Sequence, residues 1–125
     1  MICVDSNYLI RGLVKGTNEA RDLAAWHLAG EPLVTPSIAW YEFLCGPVTS
    51  AQVAAMDAFL SGGLIPFEGA QAVEAARLFN AAGRPRRLRV DVMIAACAIV
   101  ARARFATSNR ADFLVFAAHG LQLLD

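Results

Sequence analysis

The sequence lacks several features that would assign it to a class at once. Lys15 is the only lysine, and the 11 basic residues balance 11 acidic ones, so net charge indicates neither a nucleic-acid nor a membrane partner. The longest apolar run, Val92 to Ala101, is too short to span a bilayer, and no signal peptide precedes the first apolar segment. We therefore expect a cytoplasmic protein with no membrane partner, folded as a single domain over residues 1–125.

Cysteine is also scarce. The three cysteines are odd in number, widely spaced and embedded in apolar runs, which excludes both a disulfide framework and the paired spacing of a zinc site. We interpret Cys3, Cys45 and Cys97 as small core residues of a protein in a reducing compartment. Apolar residues, in contrast, are abundant and make up 57% of the chain. They are enough to form a buried core and leave a surplus that a partner could cover.

Short apolar strands alternate with helical stretches along the chain. Strands are predicted at 1–4, 32–35, 64–67, 105–108 and 121–124, and helices at 6–13, 18–29, 36–45, 50–60, 70–81 and 90–102. Ser6 is a candidate cap for the first helix, and Thr35-Pro36 reads as the cap and first residue of the third. Residues 84–89 form a basic loop, and 112–118 are of uncertain type. The alternation predicts an α/β fold built from parallel βαβ units.

Four acids fall where such a sheet would gather them. Asp5 directly follows the first strand, and Asp112 lies just past the strand at 105–108. Asp91 occupies the first turn of the apolar helix 90–102, whereas Glu42 lies mid-helix among apolar neighbours. Ligands of open α/β sheets bind beyond the carboxyl ends of the strands. We therefore expect these four carboxylates to converge at one edge.

Each acid alone also has an ordinary explanation. Asp5 could cap a helix, Asp91 is favoured by the helix dipole, Asp112 could be a turn residue and Glu42 could face solvent. Together they favour a different interpretation, because carboxylates ~4 Å apart repel by roughly 4 kcal/mol per pair at an effective dielectric of 20. A cation would relieve that repulsion, and oxygen ligands without nearby His or Cys favour Mg²⁺ or Mn²⁺ over zinc. Such ions suit phosphodiester hydrolysis.

Four segments, in order, resemble the PIN-domain family. Asp5-Ser6-Asn7-Tyr8-Leu9-Ile10 looks like its opening, and Glu42-Phe43-Leu44-Cys45-Gly46 is similar to its glutamate-bearing helix. The segments 91–98 and 107–113 resemble its third and fourth acidic motifs. The resemblance covers nearly the whole chain. It implies a three-layer α/β/α fold with a central, mainly parallel sheet of four to five short strands.

In size the chain resembles the VapC-type toxin of a bacterial VapBC toxin–antitoxin pair. That resemblance implies a Mg²⁺- or Mn²⁺-dependent endoribonuclease with an RNA substrate, a homodimer, and a small antitoxin that covers the active-site groove. The implied site has four acids, which bind metal and act in catalysis, and three polar residues that orient them: Asp5, Glu42, Asp91, Asp112, Ser6, Thr107 and Asn109.

A run of arginines precedes the third acid. Arg84, Arg86, Arg87 and Arg89 lie close before Asp91 and could hold RNA phosphates beside the carboxylates. The alternative is a solvated loop whose charges only maintain solubility. Both interpretations remain open from the sequence.

Two other functions compete with the nuclease. A phosphoacceptor regulatory domain also places an aspartate at a strand end, but it needs a lysine near the last strand, and Lys15 comes far too early. The other is a catalytically inactive PIN-type fold that only binds RNA or a partner. The four intact acids argue against it.

Overall fold

The computed structural model describes all 125 residues and contains four parallel strands in the order β3-β2-β1-β4. The strands are β1 (Ile2–Val4), β2 (Leu33–Pro36), β3 (Gly63–Ile65) and β4 (Arg104–Ala106). The helices are α1 (Ser6–Arg11), α2 (Asn18–Leu28), α3 (Ser37–Leu44), α4 (Ser50–Phe59), α5 (Gly69–Ala81), α6 (Arg89–Val100) and α7 (Arg110–Ala117), with one 3₁₀ turn at Arg86–Leu88. This is the expected three-layer α/β/α arrangement around a parallel sheet.

Strand β1 lies in the middle of the sheet because its side chains are apolar on both faces. Ile2, Cys3 and Val4 are completely buried, as expected for a parallel strand covered by helices on both sides. β1 pairs with β2 on one side and with β4 on the other. The chain therefore reverses its direction of winding between β1 and β4, which creates the crevice where α/β folds bind ligands.

Helix α6 is the central helix, as its nearly continuous apolar sequence predicts. Residues 94–98 are all buried, and α6 packs most extensively against α5. On the other flank Phe105 of β4 stacks against Phe113 of α7, with ring centroids 4.7 Å apart. These contacts belong to one hydrophobic cluster of 26 buried residues. No helix combines the length and the apolar character needed to traverse a lipid bilayer.

Two predicted caps differ from the structure by one residue. The N-cap of α1 is Asp5 and not Ser6, since the Asp5 carboxylate accepts a hydrogen bond from the Ser6 amide at 2.8 Å. Pro36 is the N-cap of α3 and still belongs to β2, so Thr35 is a buried strand residue whose hydroxyl donates to the Val4 carbonyl. A side chain that bonds across strands was mistaken for one that caps a helix.

The expected fifth strand at 121–124 is wrong. Only Leu123 forms an isolated parallel bridge with Phe105. Leu121 is buried, and its amide donates to the carbonyl of Phe116. This hydrogen bond holds the segment against α7, so residues 121–124 do not form a regular strand. The segment with uncertain type, by contrast, is part of helix α7.

The cysteines are only partly as expected. Cys3 and Cys97 are buried, but Cys45 is exposed at the C-terminal end of α3. The preceding turn of α3 uses Phe43 for the core contact, so Cys45 falls on the outer side of the helix end.

Candidate active site

Asp5 lies at the carboxyl end of β1 and is 4% exposed. Its carboxylate accepts hydrogen bonds from the Ser6 amide and from the Thr107 hydroxyl, both at 2.8 Å, and a longer one from the Asn7 amide group at 3.4 Å. Burial raises the pKa of Asp5, and these donors partly offset the increase. The buried carboxylate is thus held in one orientation by groups from the start of α1 and from the loop after β4.

Asn7 and Asn109 complete the polar network around Thr107. The Thr107 hydroxyl accepts from the Asn109 amide at 3.0 Å and from the Asn7 side chain at 3.4 Å. The Asn7 side-chain oxygen also accepts from the Ser108 amide at 3.1 Å. Asn7 was missed as a supporting residue, although it follows Asp5 and Ser6 in the opening segment. It ties the end of β4 to the start of α1.

Asp112 lies in the first turn of α7 and not in a turn after a strand. Its two oxygens accept from the Asn109 side chain at 2.8 Å and from the Arg87 guanidinium at 3.1 Å. These two contacts lower the pKa of Asp112. Asp112 is therefore ionised and paired with a cation of the protein itself.

Asp91 lies in the first turn of α6 and is partly buried. Burial raises its pKa to about 6, with further contributions from the negative charges of Asp5, Asp112 and Glu42, and Arg87 opposes them only weakly. The charges of all three other acids act on Asp91, so the four acids lie in one region of the molecule: Asp5 after β1, Glu42 on α3, Asp91 on α6 and Asp112 on α7.

Glu42 is the most exposed of the four acids. It lies on the outer side of α3, since Ala39 and Phe43 of the same helix fill the core. Burial of part of the side chain and the charge of Asp5 raise its pKa, while the Ser6 hydroxyl lowers it. The expected apolar surroundings are wrong, but the expected proximity to Asp5 is present.

The donor set fits a hard divalent cation, although the side chains are not arranged around one. No three Asp, Glu, His or Cys side chains lie close enough together to hold a metal ion jointly. Burial and the charges of the other acids raise the pKa of Asp91, and only one nearby arginine opposes them, so negative charge is left in excess. The carboxylates would have to reorient toward one another to share an ion.

The four arginines before Asp91 do not act as one group. Arg87 alone enters the site, through its contact with Asp112. Arg84 and Arg89 lie over the ring of Phe79, away from the carboxylates, and Arg86 is exposed and forms no ion pair. The sequence could not separate them, because four arginines in six positions look equivalent until the chain is folded.

A fifth acid, Glu19, binds the loop that carries Thr107 and Asn109. Its carboxylate is 7% exposed, accepts from the Ser108 hydroxyl at 2.8 Å and lies 3.3 Å from Arg11. Burial alone would raise the pKa of Glu19, but the Ser108 hydrogen bond and the Arg11 charge together lower it. Nothing in the sequence distinguishes Glu19 from an acid that merely favours the first turn of a helix.

Several solved structures share this fold. The toxin–antitoxin complex from Klebsiella pneumoniae is 25% identical with a TM-score of 0.69, and the alignment covers 90% of both chains. FitAcB from Neisseria gonorrhoeae is 15% identical with a TM-score of 0.71, covering 100% of this chain and 97% of that one. VapBC2 from Rickettsia felis, bound to a DNA fragment from its promoter, is 20% identical with a TM-score of 0.70, covering 99% and 98%. The last two show likeness of fold alone.

Sequence comparison gives the family directly. No curated protein matches the chain significantly. The PIN domain family, however, matches residues 2–118, a range that includes Asp5, Glu42, Asp91 and Asp112. With the parallel sheet, the crevice at β1 and β4 and the four acids at its edge, this match shows that the chain belongs to the PIN domain family.

Proposed function

We propose that this protein is a divalent-metal-dependent endoribonuclease that hydrolyses RNA phosphodiester bonds, the VapC-like toxin of a type II toxin–antitoxin pair. PIN domains are generally nucleases, and toxin–antitoxin complexes are among the similar structures. The observation that carries the proposal is the placement of Asp5, buried at the end of β1 and bound by Thr107 just after β4, near Asp91, on which the charges of Asp5, Asp112 and Glu42 all act. Such an excess of negative charge is stabilised by a cation.

In this proposal Asp5 and Asp91 hold Mg²⁺ or Mn²⁺, and Glu42 completes the set of ligands. A bound divalent ion would polarise the phosphate and lower the pKa of a coordinated water. Thr107, Asn7 and the Ser6 amide keep the Asp5 carboxylate aimed into the crevice.

The remaining acids have separate tasks. Glu42 is exposed and has a raised pKa, so it is suited to accept a proton from the attacking water. Asp112, fixed by Asn109 and Arg87, supports a second ion or the water network. Arg87 lies close enough to the carboxylates to bind a phosphate oxygen when it leaves Asp112.

The partner of this toxin would be a small antitoxin, which binds beside α3. An open groove of about 520 Å³ between α3 and α4 is lined mainly by apolar side chains, including Trp40, Leu44 and Val53. Helix α3 also carries Glu42, but on the opposite face from Trp40 and Leu44, so an antitoxin seated in the groove would reach the acids by extending around α3. We further propose that residues 1–125 act as one domain and form a homodimer, supported by the exposed apolar side chains of Val73 and Leu114.

The second candidate is an inactive PIN-type module that only binds RNA or a partner. It is favoured by the lack of three carboxylates already placed to share an ion. Metal-dependent cleavage separates the two functions, because a binding module would leave RNA intact in any cation.

The test is cleavage of total cellular RNA by the purified protein with Mg²⁺ or Mn²⁺. We expect a chelator, Asp5→Asn and Asp91→Asn each to lower the cleavage rate by more than about 100-fold, since each removes a ligand or the ion. Asp125→Asn, at the exposed chain end, is the matched control and should cleave normally. Wild-type activity in excess chelator would contradict the metal mechanism.

Asp91→Asn is included because Asp5 accepts hydrogen bonds on both oxygens. An asparagine at position 5 would place an amide group opposite one of the donors, Ser6 or Thr107, and could lower stability as well as activity. Asp91 accepts no hydrogen bond from the protein, so its replacement tests the ligand role without that complication. If wild-type protein cleaves no RNA with either cation, the inactive module replaces the nuclease.

A further inference from the structure

A second concave site lies between α5 and α6, outside the cluster of acids. It is an open cavity of about 370 Å³ lined by Ala75, Ala76, Phe79, Asn80, Arg84, Arg89, Val92 and Met93. We call it the α5–α6 pocket. None of the eight residues is an acid, so the two arginines give the pocket a positive charge.

The two arginines are held over one aromatic ring. The guanidinium carbon of Arg84 lies 5.1 Å from the centroid of the Phe79 ring, and that of Arg89 lies 5.3 Å from it. Neither arginine belongs to any of the ion pairs of the structure. Two like charges against the same ring repel each other, and an anion bound between them would remove that repulsion.

The backbone at Arg84 also takes an uncommon conformation. Its φ of +59° lies in the left-handed region, which side chains other than Gly and Asn seldom adopt. The Arg84 guanidinium donates to the side-chain oxygen of Asn80 on α5. The chain thus turns sharply between α5 and the 3₁₀ turn, and it does so with a charged residue directed back to the pocket.

The chemistry of the pocket fits a nucleotide. A guanidinium presents a planar pair of donors that matches two phosphate oxygens. Phe79, Val92 and Met93 supply an apolar wall against which a ribose or a base can pack. An acidic peptide would satisfy the charges as well, but it would leave the flat apolar part of the pocket without a matching group.

The position of the pocket favours the RNA substrate. The segment from Arg84 to Asp91 begins at the pocket and ends at the acids, with Arg87 bound to Asp112 between them. Arg89 and Asp91 share the first turn of α6 but face different sides of it. An RNA strand lying across the acids carries a phosphate on every nucleotide, so a nucleotide further along the same strand is a ligand that the pocket would accept.

We propose that the α5–α6 pocket is a substrate subsite that binds a nucleotide of the RNA away from the cleaved bond, through its phosphate on Arg84 and Arg89. This inference rests on the proposed function, since it assigns the nucleotide to the strand being cleaved. The subsite supplies binding energy and no catalytic group.

The test compares two doubly substituted proteins that lose the same charge. Arg84→Asn with Arg89→Gln removes the pocket's charges, and asparagine tolerates the left-handed backbone at position 84. Lys15→Gln with Arg21→Gln removes two exposed charges outside the pocket and is the control. Fluorescence anisotropy of a labelled 12-nucleotide single-stranded RNA in chelator gives binding without cleavage, and KM and kcat are measured separately with Mn²⁺.

We expect the pocket variant to bind RNA at least about tenfold more weakly than wild type. The slope of log Kd against log[salt] should be smaller by about 1.4, because two phosphate contacts are lost. Its KM should rise while kcat stays within about twofold, and the control should change neither. Equal binding by wild type and pocket variant, or equal loss in the control, would overturn the subsite. Unchanged RNA binding together with weaker binding of the antitoxin would also overturn the subsite, because it would assign the pocket to the protein partner.

The outcome is separable from that of the nuclease proposal. If wild-type protein binds RNA but does not cleave it, and the pocket variant loses binding, the pocket is retained as an RNA site and the nuclease fails. If cleavage depends on metal while the pocket variant has wild-type KM and Kd, the nuclease stands and the pocket proposal is wrong.

Discussion

Asp91 is the one of the four acids whose pKa is affected by all three of the others. Its pKa of about 6 lies above the usual value of 3.8, first because of burial and then because of three other acids. A folded-state pKa above the unfolded one means that the protonated form favours folding. That contribution is fully present below about pH 4 and is lost as the pH rises through about 6.

We therefore expect metal-free Asp91→Asn to be more stable than metal-free wild type at pH 7.5. A shift of about 2 pKa units corresponds to about 3 kcal/mol without screening, and partial contact with solvent reduces this to about 1–2 kcal/mol. Urea denaturation in chelator at pH 7.5 and pH 3.5 measures the difference, which should vanish at the lower pH. Equal stability at pH 7.5 would show that Asp91 is not crowded by negative charge.

Added Mg²⁺ provides the control for this prediction. The ion should raise the midpoint of wild type at pH 7.5 more than that of Asp91→Asn, because binding to the folded state alone adds to stability. At pH 5 the effect on wild type should shrink, since Asp91 must lose its proton to bind metal.

At the residue scale the sequence revealed charges but not hydrogen bonds. The four acids, Thr107 and Asn109 could be named because the segments that contain them resemble the motifs of a known family. Asn7 and Glu19 act through contacts with Ser108, which lies about 100 positions away for Asn7 and 89 for Glu19. Such partners depend on which strands pair, so no local pattern contains them.

At the scale of elements, the loop between β4 and α7 is held from two sides. The Asn7 side chain binds the Ser108 amide, and Glu19 of α2 binds the Ser108 hydroxyl. The same loop carries Thr107 and Asn109, which contact Asp5 and Asp112. Helix α2 therefore fixes the geometry of the acids without contributing a ligand.

We expect Ser108→Ala and Glu19→Ala each to lower stability by about 1–2 kcal/mol. Ser108→Ala leaves the buried Glu19 carboxylate with one partner fewer, and Glu19→Ala removes a buried side chain that contacts both Ser108 and Arg11. The double variant should lose less than the sum of the two, since the second substitution removes a bond that is already broken. Urea denaturation of the four proteins gives the coupling. Ser50→Ala, on an exposed serine whose side chain forms no hydrogen bond, is the control and should cost less than about 0.5 kcal/mol.

A change in activity distinguishes positioning from simple stability. Ser108→Ala should lower kcat at a temperature where the protein is fully folded, and Ser108→Thr, which retains the hydroxyl, should restore most of it. Full additivity of the two alanine substitutions, or wild-type kcat in Ser108→Ala, would contradict the positioning role.

The elements themselves were largely predictable, and the failures have a common cause. Helix α6 could be read from its apolar sequence and β1 from its buried run. Helix α7 was not recognised because its N-cap, Asn109, forms no capping bond with its side chain, which is bound to Asp112 instead. The segment 121–124 has the apolar sequence of a strand, but its position in the core is determined by its contact with α7.

At the scale of the whole molecule, the groove between α3 and α4 is the surface where partner binding and catalysis can be separated. We expect Leu44→Glu to weaken binding of the cognate antitoxin by at least about tenfold, because it places a charge in an apolar contact. Leu44 is 45% exposed, so the folded state should tolerate the change. Pull-down with the antitoxin and RNA cleavage without it are the two measurements.

Leu28→Glu, which introduces the same charge at a leucine that is 86% exposed and outside the groove, is the matched control. The prediction requires that Leu44→Glu cleave RNA like wild type while escaping inhibition. Unchanged inhibition would exclude the groove as the antitoxin site, and light scattering of the same proteins reports whether the homodimer also uses it.

The hydrogen bond between Thr107 and Asp5 joins residues 102 positions apart in the chain. During synthesis, Asp5 leaves the ribosome long before strand β4 and the loop that orients its carboxylate. Under the proposed function, a nascent chain that has not yet formed β4 would have no assembled site and could not cleave RNA. The order of translation would then give an antitoxin time to be present before the site forms.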